Sequence, residues 1–271
     1  RVDRRVGDLR SVDEQFIPVD RVVLGRTHGR EKHAARFGLR VHVADKAFGE
    51  VRVGFEAVAA AHDLYRAGGA DGGAAMAKRG EFWLTVHSRV DFYGPAYLMD
   101  ELTACTWPER CEGRDIRCFR SYRLRKGEQI VALGRTQWAI LGPEQKILRF
   151  EQSGFPADFP FPDAAAIAEP PVRFHDELAQ EDLVYTHLVR ATDIDMGRHM
   201  NNVVYIRLLL DCFRAKELAF GAVKRIEAHY ASPCLEGETL GVFCRREGQI
   251  CRMAVRHADG RSAVLAQVEF G

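Results

Sequence analysis

The stretch "DIDMGRHMNNVVYI" at residues 193–206 places two aspartates, a histidine and a pair of asparagines directly before a run of apolar residues. Asparagine and aspartate are favoured at helix N-caps, and the apolar run that follows predicts a helix over about 202–219 that stops at Gly221. The stretch therefore predicts a polar loop at the N-terminal end of a helix.

Working outward from this loop, the same order of elements occurs twice in the chain. Alternating apolar residues, separated by glycines and prolines, predict one strand, one helix and then four strands in each half. Long runs of strands with a single helix are typical of an α+β fold with antiparallel sheets. The predicted first-half elements are 35–45, a helix within 51–67, 82–93, 100–110, 114–125 and 129–141; the second-half strands are 183–193, 223–232, 239–247, 249–257 and 263–270.

A proline-rich segment separates the two halves. It carries five prolines and little periodicity, which is the composition of a connection that crosses a surface. We therefore expect an N-terminal extension, a first domain, a linker and a second domain, with bounds at 1–33, 34–150, 151–176 and 177–271.

The composition excludes several classes of protein. A formal charge of +1 gives no bulk attraction to nucleic acid, and no apolar run reaches the roughly 18 residues of a membrane span. The arginine-rich start also carries acidic residues and has no apolar signal core. Seven cysteines without a C-x-x-C pair fit reduced thiols and give no zinc-binding spacing. The sequence thus predicts a cytoplasmic protein without a metal site.

The first half provides an internal comparison for the polar loop. Aligning "DKAFGEVRVG" at 45–54 with the loop keeps the aspartate at position 193 and the glycine at position 197. In contrast, apolar residues stand opposite Asp195 and His199. We therefore interpret Asp193 and Gly197 as structural residues, and Asp195 and His199 as candidates for chemistry.

This loop has the groups that attack on a carbonyl requires. N–H groups at a helix start stabilise negative charge on a carbonyl oxygen. Asp195 can attack the carbonyl or deprotonate a water, and His199 can hold that water or relay its proton. Asn201 and Asn202 either cap the helix or contact the substrate, and the sequence leaves both roles open.

Several motifs in the right order resemble one family. The stretch 193–206 resembles the signature D-x-D-x-N-x-H-V-N-N-x-x-Y-I of the acyl-acyl-carrier-protein thioesterases of plants and bacteria. Trp83 at a strand start, "GEQIVALGRTQWAIL" at 127–141 and "HYASPCLEGE" at 229–238 are further matches. The resemblance spans about 34–270 and implies a double hotdog fold, in which two tandem antiparallel sheets each wrap around a long central helix.

The resemblance also implies an activity and a set of site residues. The family hydrolyses fatty acyl-acyl-carrier-protein to free fatty acid in fatty acid biosynthesis, without a cofactor. Asp195, His199 and Cys234 match its catalytic positions. Gly197 stands where the family usually has asparagine, and Pro233 stands where it often has glutamate.

These two departures leave three outcomes open. Asp195 and His199 suffice if a water occupies the space beside Gly197, which is the outcome we favour. Alternatively, Glu236 or Glu238 supplies the missing carboxylate. The third outcome is another role on the same scaffold, as an acyl-thioester hydratase or dehydratase or as a noncatalytic acyl-binding protein.

Substrate and partner predictions follow from the same resemblance. The acyl chain is expected in the first half, where Phe55, Val58 and Trp83 are candidate pocket walls as well as core residues. The donor is an acidic acyl carrier protein or coenzyme A, and we expect a monomer or a homodimer. The candidate docking residues are basic, namely Arg114, Arg117, Arg120, Arg123, Arg125, Arg207, Arg214, Lys216, Lys224 and Arg225.

Overall fold

The computed structural model describes residues 22–26, 37–42, 76–97, 100–155, 164–195, 197–218 and 223–271. These residues form strands and one α-helix of nine residues, α1 (Asn202–Leu210). The strands are β1 (Val22–Arg26), β2 (Phe37–His42), β3 (Phe82–Phe92), β4 (Glu101–Pro108), β5 (Cys118–Lys126), β6 (Gln129–Leu141), β7 (Ile147–Leu148), β8 (Leu183–Leu188), β9 (Val223–Tyr230), β10 (Thr239–Glu247), β11 (Ile250–Arg256) and β12 (Ser262–Phe270).

The described strands form one 12-stranded antiparallel sheet in the order β1-β2-β4-β5-β6-β3-β9-β12-β11-β10-β8, with β7 paired to β6. The order β2-β4-β5-β6-β3 in the first half is mirrored by β8-β10-β11-β12-β9 in the second. This symmetry bears out the repeat that the sequence predicts. The two sheets are not separate, however, because β3 pairs directly with β9 and joins them edge to edge.

Most predicted strands are present within a few residues of their expected bounds, and β6 has the bounds predicted for it. In contrast, the predicted helix over 202–219 ends at Leu210. The chain tightens there, since the N–H groups of Cys212 and Phe213 donate to carbonyls three residues back, and Phe213 turns inward against Phe270 at 5.1 Å between ring centroids. The predicted helix within 51–67 lies outside the described residues.

Two smaller differences concern the connections. Strand β1 lies in the expected N-terminal extension and pairs with β2, which the sequence pattern does not predict. The predicted strand 183–193 ends at Leu188, and residues Ala191–Asp193 form a 3-10 turn instead. This turn leads directly into the polar loop.

Helix α1 is packed into the core of the second half. Six of its residues are buried: Val204, Tyr205, Ile206, Leu208, Leu209 and Leu210. Each buried side chain of this size contributes roughly 1.5–3 kcal/mol relative to exposure, so packing rather than helix propensity holds the helix in place. The position of its N-terminal end is thereby fixed relative to the sheet.

Buried charges lie where the two halves meet. Arg89 pairs in register with Glu227, and Asp91 pairs with Arg225. The Asp91 carboxylate accepts hydrogen bonds from Arg89 at 2.7 and 3.0 Å and from Arg225 at 2.7 Å. Burial alone would raise the pKa of Asp91, but these hydrogen bonds outweigh it and lower that pKa. Asp91 therefore ties the two halves together as an ionised group.

The predicted linker lies against this junction. The Val172 N–H donates to Glu227 at 2.9 Å, and the Ala166 N–H donates to the Ser121 hydroxyl at 2.8 Å. Trp107 donates its indole N–H to the Ala164 carbonyl at 2.7 Å. The connection is thus held by specific contacts to both halves.

None of the helices in the described part of the chain has the length and apolar composition that a membrane span requires.

Candidate active site

The polar loop before α1 is a narrow turn. Ile194 and Met200 form an isolated antiparallel bridge, and the Asp195 N–H donates to the His199 carbonyl at 3.0 Å. Met196 lies outside the described residues. The Met200 N–H donates to the Cys234 carbonyl at 2.9 Å, which joins the loop to the segment after β9. Asp195 and His199 are therefore held on opposite arms of one turn, and both are exposed.

Asp193 anchors this loop from inside. Its side chain is 3% exposed and lies 2.8 Å from His187 Nε2, while Arg207 on α1 donates to it at 3.0 Å. It also accepts the Arg190 N–H at 3.0 Å. Burial alone would raise the pKa of Asp193, but the hydrogen bonds from Arg190 and His187 and the charge of Arg207 lower it. The structural role predicted for Asp193 is confirmed.

Gly197 lies between the two candidate catalytic side chains. A methyl group at this position would lie 3.0 Å from Asp195 Oδ1 and 3.9 Å from His199 Nδ1. The sequence predicts a structural turn residue here, yet the left-handed conformation in this turn falls on Arg198, with φ 62°, and not on Gly197. What glycine provides at position 197 is space next to Asp195, and its N–H donates to Asp195 Oδ1 at 2.7 Å.

The start of α1 is only partly open to a ligand. Asn201 is the N-cap, since its side-chain oxygen accepts the Val203 N–H at 2.8 Å, and its carbonyl accepts the Val204 N–H at 2.9 Å. The Asn202 N–H has no acceptor among the described residues. The capping role of Asn201 is therefore established, and Asn202 is left as the donor that can face an oxyanion.

Cys234 is unsuited to act alone as a nucleophile. Its side chain is fully buried in the core of the second half, and its N–H donates to the Tyr205 hydroxyl at 3.1 Å. Burial raises the pKa of the Cys234 thiol to about 11, so the thiolate is scarce near neutral pH. Its contribution to the loop is the carbonyl that accepts the Met200 N–H.

The segment after Cys234 contains an arrangement that the sequence did not predict. The Glu238 carboxylate lies 2.7 Å from His257 Nδ1, whereas Glu236 is exposed. His257 falls in the turn between β11 and β12, where a histidine next to Asp259 and Gly260 gives no sign of a site. Only the paired sheet brings β10 and β11 together and places His257 beside Glu238.

The predicted acyl-chain walls are only partly described. Phe55 and Val58 lie outside the described residues. Trp83 is partly buried beside Phe155, at 6.0 Å between ring centroids, and packs on Met76 and Ile140. This packing fits the core role of Trp83, and its role as a pocket wall stays a prediction.

A separate cleft lies at the junction of the halves. It is lined by His87, Arg89 and Glu227 from the central strands and by Ile167 and Glu169 of the linker. Arg89 and Glu227 belong to the buried charges at the junction, and Glu227 also accepts the Val172 N–H of the linker. The cleft therefore has a structural explanation.

The predicted docking residues divide into two groups around α1 and β9. Arg207 pairs with Asp193, and Arg225 pairs with Asp91 at 2.7 Å and with Glu269 at 3.2 Å. Arg214, Lys216 and Lys224 are exposed. The first two arginines are used to hold the fold, so the exposed group is the better candidate for an acidic partner.

Comparison with known proteins supports the resemblance found in the sequence. Residues 176–270 match the model of the family described as "Acyl-ACP thioesterase C-terminal domain". No curated protein matches the chain significantly in sequence.

Two solved structures are similar over most of the chain. One is an acyl-ACP thioesterase from Bacteroides thetaiotaomicron, with 18% identity, a TM-score of 0.72 and coverage of 85% of this chain and 93% of that one. The other is the 12:0-ACP thioesterase from Umbellularia californica, with 14% identity, a TM-score of 0.70 and coverage of 93% and 96%. The chain has the fold of these proteins, which confirms the predicted hotdog class. The long helices expected of it are not confirmed, because α1 is short and the first lies outside the described residues.

We expect Asp193→Asn to loosen the loop, because the neutral amide cannot balance Arg207 or hold the same hydrogen bonds. The free energy of unfolding at pH 7, measured in urea, should fall by about 2 kcal/mol. The pKa of Asp193 is lowered in the folded state, so its stabilisation is complete above the unfolded value of about 3.9 and disappears as pH falls through the folded value. The variant and wild type should therefore converge in acid.

The matched control is Glu236→Gln, which neutralises an exposed carboxylate in the turn before β10 and should not change stability measurably. Equal stability of wild type and Asp193→Asn at pH 7 would contradict the anchoring role.

Proposed function

We propose that this chain, whose residues 176–270 match the acyl-ACP thioesterase family, hydrolyses fatty acyl thioesters to a free fatty acid and a thiol. The family match and the shared fold support acyl thioester hydrolysis as the general reaction class. The carrier of the acyl group is an acyl carrier protein or coenzyme A. Asp195 and His199 activate the water that attacks the carbonyl.

The observation that carries this proposal is the space between the two side chains at Gly197. Asp195 Oδ1 and His199 Nδ1 lie 3.0 and 3.9 Å from the same missing methyl position. The Gly197 N–H holds Asp195 Oδ1, so the carboxylate is oriented before substrate arrives. Both atoms thus flank the face of Gly197 from which a side chain would project. A water on this face, beyond the methyl position, would lie between a base and an imidazole, which is the arrangement that general acid–base catalysis requires.

The reaction then follows from these groups. Asp195 takes a proton from the water as its oxygen attacks the thioester carbonyl carbon. The negative charge on the carbonyl oxygen faces the Asn202 N–H and the positive end of α1. His199 delivers a proton to the leaving thiolate when the carbon–sulfur bond breaks. Cys234 supports the loop through its backbone and takes no part as a nucleophile.

The substrate lies across both halves in this proposal. The acyl chain is held by the first half, with Phe55, Val58 and Trp83 as walls. The acidic carrier, or the phosphates of coenzyme A, is attracted by the exposed basic residues near the end of α1, namely Arg214, Lys216 and Lys224. These contacts would affect KM and its salt dependence more than kcat.

We expect Asp195→Asn to lower kcat/KM for acyl-ACP hydrolysis by at least about 100-fold, because the amide cannot accept the water's proton. His199→Ala should lower it by about 10-fold or more. Release of free thiol measures the rate. Asp211→Asn, which changes an exposed aspartate at the other end of α1, is the matched control and should behave as wild type. Wild-type rates for Asp195→Asn would remove this mechanism.

Gly197→Ala tests the space itself. The new methyl group would lie 3.0 Å from Asp195 Oδ1, so the carboxylate must shift and the water loses its place. We expect kcat to fall by about tenfold with an unchanged melting temperature, because the backbone at position 197 accepts alanine. An increase in kcat would show that the space is not needed.

A further inference from the structure

The segment after β9 carries a second set of chemically matched side chains. Ser232 Oγ lies 2.7 Å from His257 Nε2, and His257 Nδ1 lies 2.7 Å from Glu238 Oε2. Carboxylate, imidazole and hydroxyl thus stand in one line of hydrogen bonds. This is the order in which an orienting acid, a base and a nucleophile are arranged in serine acyl-transfer sites.

Each member of this line is held in place. The His257 side chain is only 9% exposed, and its backbone N–H donates to the Arg261 carbonyl at 2.9 Å. Glu238 also accepts the Leu235 N–H at 3.1 Å through its other oxygen. The Ser232 N–H donates to the Ala263 carbonyl at 3.2 Å. The relative positions are therefore set by the ends of three paired strands.

The same region could be read as a metal site, since donor atoms of Cys234, Glu238 and His257 lie within 4.8 Å of one another. The imidazole argues against that interpretation. It presents Nδ1 to Glu238 and Nε2 to Ser232 and Cys234, so its two partners lie on opposite edges of the ring. An ion on either ring nitrogen would displace the hydrogen bond that this nitrogen makes to Ser232 or to Glu238, whereas a proton relay uses both hydrogen bonds.

The segment that carries Ser232 is partly open to solvent. Ser232 is half-buried, and its neighbours Ala231 and Pro233 are exposed. Leu235 in the same segment is 48% exposed, and Leu188, opposite Thr239 at the segment's end, is 44% exposed. Exposed apolar side chains in the segment that carries the nucleophile, and opposite the end of that segment, suit an acyl group.

We propose that Ser232 is a nucleophile for activated acyl oxygen esters, with His257 as its base and Glu238 as the residue that orients His257. Ser232 Oγ attacks the carbonyl carbon while its proton passes to His257 Nε2. The bond to the leaving alcohol breaks, and the alcohol takes the proton. Water, deprotonated by His257, then releases the acid and restores the Ser232 hydroxyl. This site is independent of Asp195 and His199 and goes beyond the function proposed above.

A fluorophosphonate probe tests this inference, because it forms a stable bond to an activated serine and loses fluoride. Intact-mass and peptide analysis of the full chain should show one adduct, on Ser232. Ser232→Ala should abolish it, and Glu238→Gln should slow labelling by about 100-fold, since His257 loses its orienting carboxylate. Ser153→Ala is the matched control, because the Ser153 hydroxyl donates to the Phe150 carbonyl and has no imidazole partner among the described residues, and it should label like wild type.

The experiments distinguish failure of the Ser232 proposal from failure of the proposed function. Asp195→Asn should label at the wild-type rate while losing thioester hydrolysis, and retention of hydrolysis in that variant counts against the proposed function alone. The Ser232 proposal is overturned by the absence of an adduct on the wild-type chain, by an unchanged adduct on Ser232→Ala, or by wild-type labelling of Glu238→Gln. Thermal unfolding of each variant shows that it is folded.

Discussion

The pairing of β3 with β9 is the constraint on which the described structure depends. It turns two half-sheets into one sheet, and it places Arg89, Asp91 and Glu227 in a buried set of opposite charges, with the half-buried Arg225 paired to Asp91. A shift of register by one residue would move these side chains to the other face and leave charges buried without partners, which is costly. The linker closes over the same charges through Val172. The charges therefore specify how the halves join.

Within this symmetric frame, the described chemistry is concentrated in the second half. Asp193 connects β8 to α1 through His187 and Arg207, and this buried contact fixes the turn that carries Asp195 and His199. The first half has an aspartate and a glycine at the aligned positions but apolar residues in place of Asp195 and His199. The buried aspartate thus belongs to both halves of the sequence, and the candidate catalytic residues occupy exposed positions beside it in the second half only.

Local patterns in the sequence predict the positions of most strands, the repeat and the capping loop, because alternation and N-cap chemistry depend on neighbouring residues. They were insufficient for the end of α1, where Phe213 is drawn inward by Phe270 from the last strand. The pairing of the two halves also depends on distant residues. The sequence does not predict a role for His257 for the same reason, since His257 lies beside Glu238 only because β10 pairs with β11. The sequence also predicts that Gly197 is a turn residue. It does not predict that Asp195 and His199 both lie close to Gly197, because that depends on the folded shape of the loop.

The central claim is that Asp195 and His199 direct a water onto an acyl thioester carbonyl. Its most direct test is a reaction of acyl-ACP in water enriched in oxygen-18, followed by mass analysis of the lipid product under multiple turnover. The account predicts free fatty acid that carries one heavy oxygen from each hydrolysis, formed by wild type and not above background by Asp195→Asn. An unchanged thioester, or a product with water added to or removed from the acyl chain, would contradict it.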